Sequence, residues 1–239
     1  MRYNEITHCS HPQHKLKLKD SEILFKCDGC KEDGIGSSYR CAACNFDLHV
    51  HCAIPSPSIS HPLFPKCSFQ FLPRPPGHNP RYCDACKKEV TGFVYHCKAR
   101  GFDLHPCCAE LPSVLNDGEV ELSLRGKMSA RCNKCRREWR SWSYRSACKK
   151  YNFHVACFQE MLVENWHELY LGRGKGSGRK LETRIPGLKN TLQITPHQMG
   201  KGKKVKKCFE MAVLALRFLI SAVLGDPTVL MVVGSLMSK

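Results

Sequence analysis

With 239 residues and a formal net charge of +16, the chain is long enough for one or two ordinary domains and basic enough to favour an anionic partner. Its 17 cysteines are an odd number, and its start, MRYNEITHCSHPQHK, is polar where a secretion signal would be apolar. Both features argue against a secreted protein held by disulfides, so we expect reduced thiols and a reducing compartment such as the cytosol or nucleus.

The pattern C-x2-C-x18-H-x2-C recurs three times with identical spacing, and a tyrosine stands at the same offset in every copy. Thiolates and imidazoles at these gaps are what a tetrahedral zinc site requires. The predicted ligands are Cys27, Cys30, His49 and Cys52, then Cys83, Cys86, His105 and Cys108, then Cys132, Cys135, His154 and Cys157. A unit of about 50 residues buries too little apolar surface to be stable alone, so each copy needs its metal. Three thiolates against one Zn2+ at each site would lower the net charge to about +13.

A second pair of cysteines lies inside the first copy. Cys41 and Cys44 need two further ligands, and His14 and His61 flank the copy on either side. An interleaved order allows cross-bracing, in which the outer histidines and the inner cysteines bind one zinc and the other four ligands bind another. The sequence therefore predicts a second zinc on His14, Cys41, Cys44 and His61, with His11 and His51 as alternatives that spacing does not exclude.

The runs HPQHKLKL, FKCDGC, YRCAAC and NFDLHVHC resemble the divergent C1 domain of plant Cys/His-rich proteins, over about residues 8 to 165. That family is a distant relative of the domain that binds diacylglycerol. The resemblance implies a fold of small zinc-stabilised β-rich modules in tandem, with cross-braced zinc sites and short helices. It also implies a non-enzymatic protein that binds other proteins and acts in signal transduction.

The ligands of the second zinc site are lost in the later copies of the repeat. In copy two, Cys67 and Cys97 remain but Arg100 takes the place of Cys44, and a cation cannot replace a thiolate donor. Asp117 is a weak fourth donor there, and Cys107 is an alternative one. In copy three, Ser146 and Lys149 replace the middle pair, and Glu119 stands where we expect the leading histidine. We therefore predict about four Zn2+ per chain, two in copy one and one in each later copy, and leave open whether Cys67 and Cys97 hold another.

We predict three modules, a helix and a tail. The modules cover residues 8–62, 63–116 and 117–171, and a terminal helix in FQEMLVENWHELYLG packs on the third module. A basic linker at 172–207 and a helical hydrophobic tail at 208–239 follow. Arg217 and Gly225-Asp226-Pro227 interrupt the tail, so a membrane anchor, an interfacial hairpin and a buried helical pair all remain open. The lysines before it favour an anionic cytosolic membrane surface, contacted through residues 200–236, and Cys208 is a candidate for palmitoylation.

Other functions leave different sequence signatures. A chromatin-reading PHD finger would use Cys83 and Cys86 to complete the first copy, yet these cysteines begin a copy of their own. A CxxC redox protein would place the pair on a helix of a βαβ unit, and nothing in this sequence indicates one. RREWRSWSYR supports nucleic-acid binding through Trp139, Trp142 and Tyr144. The loop KEDGIGSSYR is short and polar, so we do not expect diacylglycerol binding. A protein partner is expected, in the cytoplasm or on a cytosolic membrane face, with the nucleus as the alternative.

Overall fold

A computed structural model describes residues 3–20, 23–116, 120–172 and 223–224 of the chain. They form two compact units. The described residues up to Leu111, together with residues 223–224, belong to the first unit, and those from Pro112 to residue 172 belong to the second. The predicted basic linker and hydrophobic tail lie outside the described residues, apart from residues 172 and 223–224, so these predictions stay predictions. Within the described ranges, no helix combines the length and apolar character needed to cross a membrane.

Module 1 is a four-stranded antiparallel sheet made of two hairpins. The alternation in HKLKLK directs Leu16 into the core and the flanking lysines outward, as a half-buried strand requires. The strands are β1 (Glu5–His8), β2 (His11–Lys19), β5 (Ser38–Cys41) and β6 (Asp47–His49), in the order β1-β2-β5-β6. A small hairpin, β3 (Phe25–Lys26) with β4 (Asp33–Gly34), and the short helix α1 (Val50–Ala53) complete the module.

The same sheet is built twice more. Module 2 contains β7 (Ser58–His61), β8 (Phe64–Leu72), β9 (Val94–Cys97), β10 (Phe102–Leu104) and α2 (Pro106–Ala109), in the sheet order β10-β9-β8-β7. Module 3 contains β11 (Val114–Asn116), β12 (Glu121–Arg125), β13 (Ser143–Ser146), β14 (Asn152–His154) and α3 (Val155–Gly172), in the order β11-β12-β13-β14. The predicted fold of tandem β-rich modules with short helices is confirmed for the described residues.

The module boundaries differ from those predicted. A boundary at 62/63 separates β7 from β8, although His61 pairs with Phe64 across that turn. A boundary at 116/117 likewise separates β11 from β12, where Asn116 pairs with Glu121. Modules 2 and 3 therefore begin at Ser58 and Val114, because the first hairpin of each sheet has no cysteine or histidine pattern that marks its start.

The repeated tyrosine ties the start of each module to its third strand. Its ring is buried, and its hydroxyl donates to the backbone carbonyl two residues before the first strand of the module. The three bonds are Tyr39 to Tyr3 O at 2.7 Å, Tyr95 to Ser56 O at 3.0 Å and Tyr144 to Pro112 O at 2.9 Å. A tyrosine is suited to this position because it fills the core and carries a polar group to its edge.

Helix α3 packs on module 3, as predicted. Phe158 is fully buried, and its ring lies 5.3 Å from that of Tyr144 and 5.9 Å from that of Phe153. Lys134, which lies between Cys132 and Cys135, donates to Glu160 and Glu164 of the helix at 3.0 and 2.8 Å. The helix thus contacts both the sheet and the segment that carries two zinc ligands.

Modules 1 and 2 contact each other inside the first unit. The amide of Phe93 donates to the carbonyl of Gly29 at 2.9 Å, and Lys88 lies 3.5 Å from Glu32. A Cβ on Gly92 would lie 2.0 Å from the Gly29 carbonyl oxygen, so a side chain at this position would force the modules apart. These contacts involve residues within or next to the C-x2-C turns of both modules.

The tyrosine bond can be tested in module 3. Tyr144→Phe removes the hydroxyl and with it the hydrogen bond to the Pro112 carbonyl. This loss should lower the free energy of unfolding by about 1 kcal/mol. Tyr144→Ala also removes a buried ring and should cost about 3–5 kcal/mol. Urea unfolding of the zinc-loaded chain measures both. Tyr151→Phe is the matched control, since its hydroxyl has no hydrogen bond within the described residues; an equal loss in this control would contradict the assignment.

Candidate metal centres

The C-x2-C pair that begins each repeated pattern lies on a tight turn that we call the knuckle: residues 27–32, 83–88 and 132–137. The residue after the second cysteine donates its amide to the carbonyl of the first, as Lys31 does to Cys27 at 2.9 Å. This residue has a left-handed φ in all three modules, 64° at Lys31, 63° at Lys87 and 62° at Arg136. The turn reverses the chain so sharply that two thiols two residues apart can face one metal.

A side chain inside the knuckle fixes it to the sheet. In module 1 the carboxylate of Asp28 accepts from the amide of Asp47 at 2.9 Å, two residues before the ligand His49. Asp84 makes the same bond to Asp103 at 2.9 Å, and Asn133 accepts from Asn152 at 2.7 Å. This residue is a functional position that the sequence prediction missed. The repeat contains its signal, since a C-[DN]-x-C sequence occurs in every copy.

The predicted ligands of the repeated pattern meet in three clusters. In each, the four donor atoms lie within 4.8 Å of one another, in the sets Cys27, Cys30, His49, Cys52; Cys83, Cys86, His105, Cys108; and Cys132, Cys135, His154, Cys157. In module 1, Nδ1 of the histidine lies 3.4 Å from Sγ of Cys30 and 3.8 Å from Sγ of Cys52. A tetrahedral zinc with ordinary Zn–S and Zn–N bonds separates sulfur from nitrogen by about 3.5 Å. The donors therefore fit zinc.

The far side of each histidine ring distinguishes module 3 from the others. Nε2 of His49 lies 3.3 Å from the carbonyl of Asp33, and Nε2 of His105 lies 3.2 Å from that of Glu89. Such partners fix the tautomer of a zinc-binding imidazole. Nε2 of His154 is buried and has no hydrogen-bond partner among the described residues. In addition, the Trp139 indole N–H donates to Nδ1 of His154 at 2.6 Å, the atom that faces the sulfurs.

The pKa values of the three ligand histidines follow the same division. Burial opposes ionisation of Cys27, but hydrogen bonds from Cys30 and Cys52 and the nearby His49 hold the pKa of its thiol well below its usual range. Burial likewise disfavours protonation of His49, yet the charge of Cys27 raises its pKa to about 9. In module 3, burial outweighs the charge of Cys132 and lowers the pKa of His154. The first cysteine shows no such division: the pKa of Cys83 also lies well below its usual range, and a hydrogen bond from Cys157 lowers the pKa of Cys132 to about 4. Since zinc binds thiolates, all three modules hold the first cysteine in its metal-binding form.

A fourth cluster lies in module 1, and it corrects one predicted ligand. Its members are His11, His14, Cys41 and Cys44, with donor atoms within 4.8 Å of one another. Nδ1 of His14 lies 3.4 Å from Sγ of Cys44. The prediction of His14, Cys41 and Cys44 agrees with this cluster, whereas His61 is not part of it and His11 completes the set. Two of the four members, His14 and Cys44, are exposed, so this site is more open than the three others.

His61 belongs instead to module 2. It ends β7, and its Nδ1 accepts from the amide of Leu63 at 3.1 Å. His8 has the same place in module 1: it ends β1 and accepts from the amide of Ser10 at 3.1 Å. His61 is therefore the repeat equivalent of His8, and both are turn residues. Its distance from Cys52 along the chain led to its prediction as a ligand of module 1, but the fold places it in the first hairpin of module 2.

Strand register shows what became of this cluster in module 2. Since β8 pairs with β9 as β2 pairs with β5, Phe64 stands in place of His11 and Cys67 in place of His14. His11 stacks on Phe46 at a centroid distance of 4.5 Å, and Phe64 packs on Phe102 at 4.6 Å. A metal ligand has thus become an apolar contact. Cys67 and Cys97 are buried, but they belong to none of the donor groups of three or more found among the described residues.

Module 3 has lost the second cluster altogether. Leu122 pairs with Ser146 as Leu16 pairs with Cys41, so Val120 stands at the position of His14. The prediction placed Glu119 there, one residue away from what the register gives. Cys148 is exposed, and its thiol lies 3.3 Å from the hydroxyl of Ser146. Asp117 and Glu119 lie outside the described residues.

The remaining alternative ligands lie beside the clusters and outside them. His51 stacks on the ligand His49 with ring centroids 4.9 Å apart. Cys107 is buried and hydrogen-bonds to the ligand Cys30 of module 1, so it does not rescue the degraded site of module 2. In the described part of the chain, four clusters could each hold a metal ion, consistent with about four Zn2+.

Comparison with known proteins supports this assignment. A sequence model of the C1 domain matches residues 9–53 and residues 57–109, so modules 1 and 2 are C1-like repeats. Probable nucleoredoxin 1 of Arabidopsis thaliana is 40% identical over 50 residues, a stretch that covers 21% of this chain and 8% of that protein. The chain thus spans only a small part of that relative's length. No solved structure matches the chain significantly.

The identity of the fourth ligand in the open cluster is testable by zinc analysis. His11→Ala removes a donor and should lower bound zinc from about four to about three per chain in the presence of a weak chelator. His61→Asn, which keeps an acceptor for the Leu63 amide, should leave the count unchanged. Elemental analysis of both proteins decides the point. Zinc lost from the His61 variant and retained by the His11 variant would restore the original prediction.

Among the three repeated clusters, we expect module 3 to release zinc first. Loss of a partner to a ligand imidazole typically weakens zinc binding about 10–100-fold, and His154 lacks that partner. Chelator titration followed by thiol alkylation and mass spectrometry reports each site separately. Cys132, Cys135 and Cys157 should be alkylated at the lowest chelator concentration. Alkylation of Cys27 or Cys83 before them would contradict this order.

Proposed function

Because modules 1 and 2 are C1-like repeats with clusters suited to zinc, we propose that this protein is a non-enzymatic, zinc-stabilised interaction protein that acts in signalling. The observation that carries the proposal is that every C-x2-C pair lies in a four-donor cluster: the three pairs of the repeated pattern are joined to a histidine and a third cysteine, and Cys41 and Cys44 are joined to two histidines. Thiols held in this way stabilise a fold, since a structural zinc site has no open position for a substrate.

The first alternative is thiol redox chemistry, which the name of the nucleoredoxin relative suggests. A redox dithiol needs an accessible thiolate that can attack a disulfide. Cys27, Cys30 and Cys52 are 0% exposed, and so are Cys83 and Cys108. These thiols reach a substrate only if the module opens. The similarity covers a small fraction of the relative, so we propose that the two proteins share a zinc module and differ in activity.

The second alternative is a chromatin reader or a nucleic-acid binder. A PHD arrangement would join Cys83 and Cys86 to ligands of module 1, whereas these cysteines meet His105 and Cys108 of their own module. Stacking on bases would need exposed aromatic rings. Trp142 and Tyr144 are 2% and 0% exposed, and only Trp139 of the three predicted stacking residues is open to solvent. These burials favour a protein partner over nucleic acid.

Lipid binding is disfavoured by the loops that follow the first two knuckles. The one large apolar residue of KEDGIGSSYR before the repeated tyrosine, Ile35, is 5% exposed. In module 2 the corresponding loop buries Val90 and Phe93. Apolar side chains that would enter a bilayer are thus turned into the protein, which supports the expectation that diacylglycerol is not a ligand. We propose a cytoplasmic protein, with residues 200–236 as a contact to anionic membranes and the nucleus as the alternative location.

The proposal is tested by affinity capture from cells with quantitative mass spectrometry. The full chain is compared with a Cys27→Ser/Cys83→Ser/Cys132→Ser variant, which removes one ligand from each repeated cluster. We expect a reproducible set of proteins to bind the zinc-loaded chain and to be reduced at least tenfold with the variant, because loss of a structural zinc unfolds small modules.

Two treatments separate the alternatives in the same experiment. Nuclease treatment should leave the captured proteins in place, and their release by nuclease would support nucleic-acid binding instead. Rapid alkylation should trap no mixed disulfide between the chain and its partners. Mixed disulfides that form on the zinc-loaded chain through the knuckle cysteines would contradict the non-enzymatic proposal.

A further inference from the structure

The knuckle of module 3 has an open, basic surface that we call the Arg/Trp surface: Arg131, Arg136, Arg137, Glu138 and Trp139. These side chains line a cavity of about 610 Å³. Lys134, from the same knuckle, is directed to helix α3 and does not line the cavity. Three guanidinium groups and one carboxylate leave the cavity with a positive charge.

Trp139 is exposed because of where the repeat places it. Its equivalent in module 1 is Gly34, where a Cβ would lie 2.2 Å from Nε2 of the ligand His49. The equivalent in module 2 is Val90, which is 3% exposed. In module 3 the indole lies edge-on to His154, with centroids 5.0 Å apart, and is 47% exposed. A large aromatic residue at a position that module 1 keeps empty must lean out to solvent.

The arginines lack the counter-charges that their equivalents have. Lys31 lies 3.7 Å from Asp28, and Lys87 lies 2.8 Å from Asp84, both across their own knuckles. In module 3 this aspartate is replaced by Asn133, so Arg136 has no carboxylate at that position. Arg137 stands where module 2 has Lys88, which pairs with Glu32 of module 1. Among the described residues, neither Arg136 nor Arg137 takes part in an ion pair, whereas Arg131 lies 3.7 Å from Glu138.

We propose that the Arg/Trp surface binds an acidic segment of a partner protein, with its carboxylates on Arg136 and Arg137 and an apolar side chain against Trp139. The proposal rests on the interaction function proposed above and gives that function a site and a partner chemistry. A guanidinium pairs with carboxylates through two parallel hydrogen bonds. At about 610 Å³ the cavity is larger than a single side chain and has room for a short peptide segment. A single exposed aromatic ring is too few to track the successive bases of a nucleic acid.

The test is fluorescence anisotropy of the zinc-loaded full chain with a short fluorescein-labelled oligoglutamate peptide that has a central phenylalanine. Two exposed ion pairs together account for about a tenfold change in affinity at low salt. Arg136→Ala/Arg137→Ala should therefore weaken binding about tenfold, and Trp139→Ala should weaken it several-fold. A glutamine peptide of the same length should bind much more weakly. Lys66→Ala/Lys98→Ala removes the same charge from exposed positions of module 2 and should bind like the wild type.

Zinc content of every variant is measured in parallel, so that an unfolded module is not mistaken for a lost contact. Equal affinity in the Arg136/Arg137 variant, or equal binding of the glutamine peptide, would overturn the proposal. Tighter binding of single-stranded RNA or of phosphatidylserine vesicles, abolished by the same arginine variant, would also overturn it and assign the surface to that ligand. If the partners captured from cells still bind this variant, the interaction function stands and only the site is wrong.

Discussion

The four-donor cluster that joins a knuckle to the last strand and short helix is the constraint on which each module depends. In module 1 it links Cys27 and Cys30, before the β5–β6 hairpin, to His49, the last residue of that hairpin, and to Cys52 of helix α1. A sheet of four short strands has few side chains between its faces, and about 50 residues bury little apolar surface. A metal bound at both ends of the hairpin supplies the stability that a larger core would otherwise provide. The knuckle bond from Asp28 or its equivalent orients the ligands for that metal.

Among the described residues, the second cluster occurs in module 1 alone, and its location differs from that of the repeated clusters. Its members His14 and Cys44 are exposed, at the far end of the sheet from the first cluster. In module 2 the aromatic pair Phe64 and Phe102 occupies the position of one donor, and Cys67 and Cys97 stay buried as thiols outside any cluster of described residues. Loss of one ligand from the buried cluster would instead leave buried polar groups unpaired, which costs far more. This difference in burial explains why one site recurs in all three modules and the other in one.

One fold therefore presents different surfaces. The knuckle of module 1 contacts module 2: Phe93, which follows the second knuckle, is bonded to Gly29, and Lys88 of that knuckle is close to Glu32. In module 3 two substitutions at repeat positions, Asn133 for aspartate and Trp139 for glycine or valine, turn the same knuckle into an open basic surface. Function in such a protein resides in these substitutions and not in the shared fold.

The sequence alone determined the number of modules and fifteen of the sixteen clustered donors among the described residues. Twelve follow from the repeated C-x2-C and H-x2-C gaps, which leave a chain few other ways to surround a metal, and His14, Cys41 and Cys44 follow from the interleaved pair. It also located helix α3 from its apolar spacing. Only the tertiary structure decided the fourth ligand of the cluster on Cys41 and Cys44, because spacing alone allows either His11 or His61. His11 begins β2, and its donor atom lies within 4.8 Å of those of the two cysteines, whereas His61 ends a strand of module 2. It likewise decided that Trp142 is buried and Trp139 is exposed. Both lie in one short loop of the sequence, and only the positions of the sheet and of His154 determine which ring enters the core and which faces solvent.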